Sequence, residues 1–205
     1  MTAAGTLTVV TNVTLDGVTQ APGRHDEDTR DGFDKGGWAI PYGDSVMASA
    51  LADGMAKEDG ALLFGRRTYE DFYAVWPGRT DNPYTEVLNR TEKYVASNTL
   101  AEPLPWSNST LLAGDACQRV RELKAGGRSM TVLGSGVLIH SLLREELIDE
   151  YFLLLYPLVL GRGRRLFPEG VLATLELTQT TTTTTGVIIN SYRRAPDRRT
   201  TRSPG

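Results

Sequence analysis

The chain has 205 residues, 40% of them apolar and 23% charged, a composition typical of one globular domain. It excludes a disordered chain, a collagen-like fibre and a coiled coil. No apolar run reaches the roughly 18 residues of a membrane helix, and no signal-peptide pattern is present. The single cysteine, Cys117, excludes an internal disulfide. We therefore expect a cytoplasmic protein with no membrane partner and no metal site.

Charge is distributed unevenly along the chain. The formal net charge is −3, yet residues 193–205 hold five arginines and one aspartate, so they carry +4 and the rest carries about −7. An acidic body argues against a nucleic-acid partner. We predict one domain over residues 1–192 and a disordered basic tail over residues 193–205. Contact of this tail with an acidic partner is the alternative.

The first half of the chain alternates predicted strands and helices. A β-branched strand over residues 6–15 precedes a loop over residues 20–43, a length typical of a functional lid or a disordered segment. Periodicity and turn residues then predict helix 44–57, strand 61–64, helix 65–75, helix 83–90, strand 93–97 and strand 109–112.

The second half continues this alternation and ends in a hairpin. The predicted elements are helix 115–124, strand 129–133, a helix from residue 136, an apolar strand 149–160, and strands 174–183 and 187–192 around Gly186. Strand–helix–strand units indicate an α/β fold with a largely parallel sheet, and the hairpin adds an antiparallel edge.

Two strand–helix junctions have unusual chemistry, and ligands of such sheets bind where strands end and helices begin. At the first, Gly65 precedes Arg66 and Arg67, and cations at a helix N-terminus oppose the helix dipole unless an anion binds there. Solvated arginines are the alternative. At the second, residues 134–136 (Gly-Ser-Gly) let a phosphate approach the backbone closely, with tight helix–strand packing as the alternative.

These junctions resemble a known family. Gly65-Arg-Arg-Thr-Tyr-Glu70 resembles the Gly-Arg-x-Thr-aromatic-Glu segment of dihydrofolate reductase, and Gly134-Ser-Gly136 resembles the glycine-rich turn of that fold. Residues 15–17 and 158–167 resemble the reductase domain of bacterial riboflavin biosynthesis. The resemblance covers residues 6–192. It implies a dihydrofolate reductase-like three-layer fold, with a central mixed, mostly parallel sheet, in a stand-alone NADPH-dependent reductase.

The resemblance also implies which residues bind the cofactor. Phosphates of the cofactor are implied at the first junction, by Gly65, Arg66, Arg67 and Thr68, and after the next strand, by Ser97, Asn98 and Thr99. The pyrophosphate is implied at the glycine turn, by Gly134, Ser135, Gly136, Val137 and Leu138. The nicotinamide is implied beside the end of the first strand, by Thr11, Asn12 and Val13. Taken alone, residues 97–99 are typical of a turn. The arginines favour NADPH over NADH.

The catalytic residues follow less directly, because hydride transfer also requires a proton for the substrate. Dihydrofolate reductase has an acidic residue at the start of its first helix, after a tryptophan and a proline. Trp38, Pro41 and Asp44 follow that order, with Asp44 one residue off the spacing. Asp44 is therefore a candidate catalytic carboxylate or only a helix N-cap. Asp16 is a second candidate, with a plain turn role as its alternative.

The predicted function is NADPH-dependent reduction of a small pyrimidine- or pteridine-like heterocycle, as in riboflavin biosynthesis. A non-catalytic nucleotide-binding protein and an oxidoreductase acting on an unrelated secondary metabolite are the alternatives. The strand over residues 149–160 is apolar on both faces, and residues 187–189 add apolar side chains near the edge of the sheet. We expect these C-terminal strands to form a two-fold homodimer, with a monomer as the alternative.

Overall fold

The computed structural model of the protein describes residues 3–55, 60–80 and 84–195. Within these ranges, strands and helices alternate largely as the sequence predicts. The strands are β1 (Leu7–Thr14), β2 (Ala61–Gly65), β3 (Lys93–Ala96), β4 (Ser109–Leu112), β5 (Met130–Leu133), β6 (Glu150–Tyr156), β7 (Leu175–Thr182) and β8 (Ile188–Arg194). The helices are α1 (Ser45–Met55), α2 (Arg66–Val75), α3 (Tyr84–Arg90), α4 (Ala116–Ala125) and α5 (Gly136–Arg144). The predicted ends of two helices, residues 56–57 and 83, lie outside the described residues.

The strands form one sheet in the order β4-β3-β2-β5-β1-β6-β8-β7. The first six are parallel to one another, and β8 is antiparallel to both of its neighbours, β6 and β7. This confirms the predicted mixed, mostly parallel sheet with a C-terminal antiparallel hairpin. The topology sets the carboxyl ends of β3, β2, β5 and β1 side by side at one edge of the sheet.

Each face of the sheet carries its own apolar core. Val9 of β1 packs in one cluster with Val120 of α4 and Leu142 of α5, whereas Val10 joins a second cluster that includes Tyr69 of α2. Successive residues of a strand point to opposite faces, so β1 contributes to both cores. The result is the expected three-layer α/β fold. None of the described helices combines the length and apolarity that crossing a membrane requires.

The apolar stretch after α5 forms a shorter strand than the 149–160 segment predicted. β6 ends at Tyr156, because Pro157 has no N–H for the ladder and the chain turns there, with Leu158 N donating to Tyr156 O at 2.8 Å. Val159 then lies 69% exposed outside the sheet. Continuous apolarity therefore predicted the strand correctly but not where it ends.

The last strand extends past residue 192, where the domain was expected to end. Arg193 and Arg194 belong to β8; Arg193 Nη2 lies 2.8 Å from Glu176 Oε2, and Arg194 Nη1 donates to Glu146 O at 2.9 Å. These two arginines are part of the sheet. Residues 196–205, the remainder of the predicted tail, lie outside the described part of the chain.

The long loop over residues 20–43 is organised by one buried amide side chain. Gln20 is 5% exposed, and its Nε2 donates to Asp28 O and Arg30 O at 3.1 Å each. Trp38 Nε1 donates to Gln20 O at 2.7 Å. Gln20 Oε1 accepts from Arg164 N at 2.9 Å, which ties the loop to the segment after β6. The loop is therefore a defined structural element held close to the cleft described below.

A buried lysine ammonium joins the end of α3 to β3. Lys93 is 0% exposed, and its Nζ donates to Thr91 O at 2.7 Å and to Ser107 O at 3.0 Å. The same nitrogen lies 4.7 Å from the centroid of the Trp106 ring. Burial lowers the pKa of Lys93 to about 8.

The Lys93→Met variant removes this ammonium and leaves the carbonyl oxygens of Thr91 and Ser107 without this donor. We expect its free energy of unfolding to fall by about 1–3 kcal/mol relative to the wild type. Urea denaturation measures the change. Lys35→Met, at a side chain that is 55% exposed, is the control. A loss no larger than that of the control would contradict the structural role of Lys93.

The same residue predicts a pH dependence of stability. Because burial lowers the pKa of Lys93 from 10.5 to about 8, the unfolded chain binds more protons between these values. The stability of the wild type relative to Lys93→Met should therefore increase as the pH rises across this window. This increase is lost again as the pH falls to about 8, and below that pH the difference stays constant, because Lys93 is then an ammonium in both states. Urea denaturation of both proteins at pH values spanning the window tests this. A difference that stays constant with pH would count against it.

Candidate functional site

A cleft of about 950 Å³ opens at the carboxyl ends of the parallel strands. Its walls come from the ends of β1, β2, β3 and β5, the first turns of α2 and α5, and part of the 20–43 loop. This is the edge at which open α/β sheets bind ligands. Every predicted cofactor-binding residue except Val13 and Thr99 lines the cleft.

The first predicted junction begins α2 inside the cleft. Gly65 pairs with Ala96 of β3 and is the N-cap of α2, and among the described residues no side chain caps this helix. The first N–H groups of α2 therefore remain available to a ligand. Arg66 and Arg67 follow in the cleft wall, and Arg66 Nη1 lies 3.5 Å from Glu70 Oε1 at a half-exposed site. Such a weak surface pair leaves the guanidinium able to bind an anion.

The second predicted junction meets the first directly. Gly65 N donates to Ser135 Oγ at 2.8 Å, so the turn before α5 is bound to the end of β2. A Cβ placed on Gly134 would lie 3.4 Å from Thr68 Cγ2 of α2. Ser135 is the N-cap of α5 but makes no side-chain cap bond with any described residue. Two helix N-termini therefore converge, and both helix dipoles favour an anion between them.

The backbone of the glycine turn is shaped for an anion. Gly134 and Ser135 both have positive φ, at 57° and 66°, before the chain enters the right-handed helix at Gly136. A left-handed residue followed by a right-handed one turns successive N–H groups toward a common side. Among the described residues, a Cβ on Gly136 would meet Arg164 Cδ alone, at 3.4 Å. Backbone packing alone therefore does not require glycine at this position.

The third predicted group, residues 97–99, makes turn contacts at the rim. Ser97 Oγ accepts from Thr99 N and Leu100 N at 3.1 Å each, and Asn98 Oδ1 accepts from Gly114 N at 2.6 Å. These bonds match the turn alternative. Ser97 and Asn98 nevertheless line the cleft, whereas Thr99 does not.

The end of β1 presents two polar residues to the cleft. Thr11 and Asn12 line it, whereas Val13 is buried in the core on the α5 face. Asn12 Oδ1 accepts from Tyr156 Oη at 2.9 Å, which fixes the orientation of the amide. Burial raises the pKa of Tyr156 to about 12, so this phenol remains a hydrogen-bond donor at neutral pH.

The two candidate catalytic carboxylates do not line the cleft, and both make structural hydrogen bonds. Asp44 Oδ1 caps α1 by accepting from Met47 N at 2.8 Å, and its Oδ2 accepts from Thr184 N at 2.6 Å. Asp16 accepts from Thr14 Oγ1 at 2.6 Å and from Gly161 N at 2.8 Å. Hydrogen bonds to Met47 and Thr184 lower the pKa of Asp44. The geometry thus favours the N-cap and turn alternatives, and a catalytic role for either stays a prediction that no contact here supports.

Three other carboxyl groups line the cleft, and sequence reasoning missed all of them. Asp71 of α2 pairs with Arg24, and Asp28 pairs with Arg30, whose guanidinium lowers the pKa of Asp28. Glu27 makes no such pair: its Oε2 accepts only backbone N–H groups, from Gly23 at 2.6 Å and Arg24 at 3.1 Å, among the described residues. Burial, and then the charge of Asp71, raise the pKa of Glu27. In the sequence, Glu27 and Asp28 are marked only by the high density of charge in the long loop, and Asp71 of α2 is not marked at all.

Aromatic rings form the wall at the far end of α2. Phe72, Trp76 and Tyr84 all line the cleft, with ring centroids 6.2 Å apart for Phe72 and Trp76 and 5.3 Å apart for Trp76 and Tyr84. Arg79 lies over Trp76, with its guanidinium carbon 5.2 Å from the ring centroid. The cleft thus combines an electropositive end at the glycine turn with an aromatic wall suited to a flat ligand.

Comparison with known proteins gives consistent matches over nearly the whole chain. The model of the RibD C-terminal domain family matches residues 5–189. The uncharacterized protein YyaP of Bacillus subtilis (strain 168) is 27% identical over 173 residues, which span 78% of this chain and 87% of that protein.

Solved structures are similar as well. A putative riboflavin biosynthesis protein from Shewanella sp. PV-4 superposes with a TM-score of 0.69 at 25% identity, covering 93% of this chain and 99% of that one. Dihydrofolate reductase from Enterococcus faecalis, complexed with NADP(H), superposes with a TM-score of 0.60 at 12% identity, covering 96% and 100%. The latter likeness shows a common fold.

Proposed function

Because the chain belongs to the RibD C-terminal domain family, we propose that it is an NADPH-dependent reductase of a small, flat heterocycle of the pyrimidine or pteridine type. The observation that carries the proposal is the meeting of the α2 and α5 N-termini at the glycine turn, beside Arg66 and Arg67. Such a cradle suits a phosphate-rich ligand. The dihydrofolate reductase of the same fold, solved with NADP(H), supports a nicotinamide cofactor.

The residues of the cleft fit this cofactor. The side-chain-free surface of Gly136 leaves room for phosphate oxygens, and the uncapped first turns of α2 and α5 offer backbone donors. When bound, NADPH supplies the hydride. The two helix starts would hold its phosphates, and Thr11 and Asn12 would orient its nicotinamide.

The aromatic wall would bind the substrate. Phe72, Trp76 and Tyr84 offer ring faces against which a flat heterocycle stacks. Arg24 and Asp71 lie at the same end of the cleft as an ion pair, which supplies a donor and an acceptor for polar edges of the substrate. This combination favours a heteroaromatic ring over an aliphatic substrate.

Glu27 would donate the proton that accompanies hydride transfer. Of the three carboxyl groups that line the cleft in the described part of the chain, Asp28 and Asp71 pair with arginines, and the Arg30 guanidinium lowers the pKa of Asp28. Glu27 has the raised pKa that a general acid needs, and its Oε1 accepts none of the hydrogen bonds from described residues. Its proton would pass to the substrate atom next to the carbon that receives the hydride.

Loss of the nicotinamide absorbance of NADPH in the presence of a panel of pteridines and aminouracils tests the function. We expect oxidation with at least one of these heterocycles and none without substrate. Tight NADPH binding with no oxidation across the panel would instead favour a non-catalytic nucleotide-binding protein. Turnover only with unrelated carbonyl compounds would favour a different oxidoreductase.

The two arginines at the start of α2 predict cofactor preference. We expect NADPH to bind more tightly than NADH, because the additional phosphate needs cationic partners. Replacing Arg66 and Arg67 together by alanine should narrow this gap by about 1–3 kcal/mol. Fluorescence titration with both cofactors measures it, with the Arg119→Ala/Arg121→Ala double variant of α4 as the charge-matched control. Equal affinities in the unmutated protein would contradict the preference.

The glycine turn predicts a binding defect without loss of the fold. Gly136→Val places a side chain where, of the described residues, Arg164 alone comes near, so the folded state should tolerate it. We expect NADPH binding to be lost while the thermal transition stays cooperative. Gly78→Val, at a position where an added Cβ meets no atom of the described residues within 4 Å, is the control. Retained NADPH binding by a folded Gly136→Val protein would show that phosphate does not approach this backbone.

The proposed general acid predicts the pH dependence of turnover. Glu27 must be protonated to act, so the rate should fall as the pH rises above its raised pKa. Glu27→Gln should lower turnover strongly and remove this limb, with NADPH affinity unchanged. Asp16→Asn is the comparison at a carboxylate outside the cleft. Stopped-flow measurement of the rate of hydride transfer across a pH series tests this role. A pH profile that is unaltered in Glu27→Gln would rule it out.

The sheet face beside the C-terminal hairpin supports the predicted homodimer. Leu177 of edge strand β7 is 52% exposed and stands opposite Tyr192 of β8, and Ile188 of β8 is 38% exposed opposite Leu155 of β6. These cross-strand pairs leave apolar area uncovered at an edge of the sheet. A second copy of the chain would cover it and leave the cleft open.

Light scattering after size exclusion tests the assembly. We expect twice the chain mass of 22.4 kDa at micromolar concentration. Leu177→Asp combined with Ile188→Asp should give the single-chain mass, whereas Leu15→Asp, at another exposed leucine, should not. A wild-type mass of one chain at every concentration would refute the dimer.

A further inference from the structure

Arg164 lies over the glycine turn, although it comes from a segment that is distant in the sequence. It follows β6 and lines the cleft, with a side chain that is 22% exposed. Its Cδ is 3.4 Å from the position a Cβ would take on Gly136. A partly buried cation therefore stands at the N-terminus of α5, where the helix dipole also favours an anion.

The backbone of Arg164 is fixed in this position from both sides. Its N–H donates to Gln20 Oε1 at 2.9 Å, and its carbonyl accepts from Thr19 N at 2.9 Å. Gln20 is itself buried and bound to the 20–43 loop. The guanidinium is thus presented to the turn by a rigid backbone, which lowers the entropy lost on binding a ligand.

The guanidinium makes only loose contacts within the described residues. Its Nη1 is 3.6 Å from Asp28 Oδ2, and its Nη2 is 3.4 Å from Asp31 Oδ2, on a side chain that is 84% exposed. Asp28 is already engaged by Arg30, whose Nε donates to Asp28 Oδ1 at 2.6 Å and whose Nη2 pairs with Oδ2. Since a guanidinium has five N–H donors, most of the hydrogen-bonding capacity of Arg164 remains for a ligand.

We propose that Arg164 binds the pyrophosphate of the dinucleotide at the glycine turn, an inference that rests on the proposed function. The planar guanidinium would donate two parallel hydrogen bonds to phosphate oxygens, opposite the N–H groups of the turn. Arg164 would leave the carboxylate of Asp31, and Asp28 would keep Arg30. Arg66 and Arg67 would serve the separate phosphate that distinguishes NADPH from NADH, at the other junction.

Three ligands separate these phosphate sites. ADP-ribose has the pyrophosphate but lacks the nicotinamide and the 2′-phosphate. Of the two phosphate groups, 2′-AMP has only the 2′-phosphate, and NADPH has both the pyrophosphate and the 2′-phosphate. Titration calorimetry with each ligand is carried out on the wild type and on Arg164→Ala, Arg164→Lys and Arg162→Ala. Arg162 is the control because it lies in the same segment, 53% exposed and paired with Asp34 at 2.7 Å, and does not line the cleft.

We expect Arg164→Ala to weaken ADP-ribose and NADPH about 10- to 100-fold, as for loss of charged hydrogen bonds, and to change 2′-AMP less than about 2-fold. Arg164→Lys should give an intermediate loss, because the charge remains without the bidentate geometry. Arg162→Ala should bind all three ligands like the wild type. Thermal unfolding of each variant confirms that it is folded.

Three other results would overturn the assignment. Unchanged ADP-ribose affinity in folded Arg164→Ala, or an equal loss for 2′-AMP, would remove Arg164 from the pyrophosphate site and leave the proposed cofactor in place. Failure of the wild type to bind either NADPH or ADP-ribose would overturn the proposed function and this inference together.

Discussion

The hydrogen bond from Gly65 N to Ser135 Oγ holds the candidate site together. It bridges the ends of β2 and β5, adjacent parallel strands that lie far apart in the chain. Because each strand leads into a helix, this one contact sets two uncapped helix N-termini against each other. The dipoles and the free N–H groups of both helices then act on the same small volume, and the arginines of α2 stand beside it in the wall of the cleft. Anion binding at this edge of the sheet depends on that convergence.

The order of the elements along the chain and the local chemistry of the residues predicted most of the fold and the two strand–helix junctions of the site. Glycines at the ends of β2 and β5, each followed by a helical pattern, located both junctions, and parallel strands necessarily bring their carboxyl ends to one edge. The end of β6 was missed, because apolarity continues to residue 160 whereas the missing N–H of Pro157 ends the ladder at Tyr156. The missing N–H of one proline determines where β6 ends, and the hydrophobicity of the sequence does not indicate this end.

The rest of the site depends on contacts between residues that are distant in the chain. Gln20 and Arg164 are separated by 144 positions, and Arg24 and Asp71 by 47. No periodicity or spacing encodes such pairs, so the sequence did not single out Glu27, and it marked Arg164 only as part of the family-like segment 158–167. Asp44 and Asp16 stood out in the sequence because they flank recognisable elements, yet those elements use them for capping and turn hydrogen bonds. The pKa of Asp44 and that of Asp16 lie below the usual range, which does not suit a proton donor, whereas burial outweighs the backbone donors of Glu27 and raises its pKa.

The convergence of the two helix starts is tested most directly by NMR, through the backbone amide shifts of the isotope-labelled protein during titration with NADP⁺. The account predicts that amides at the start of α2 and at the start of α5 shift together, with one shared dissociation constant, while those of the β7 edge stay in place. Shifts confined to one of the two helix starts, or absent from both at saturating NADP⁺, would contradict it.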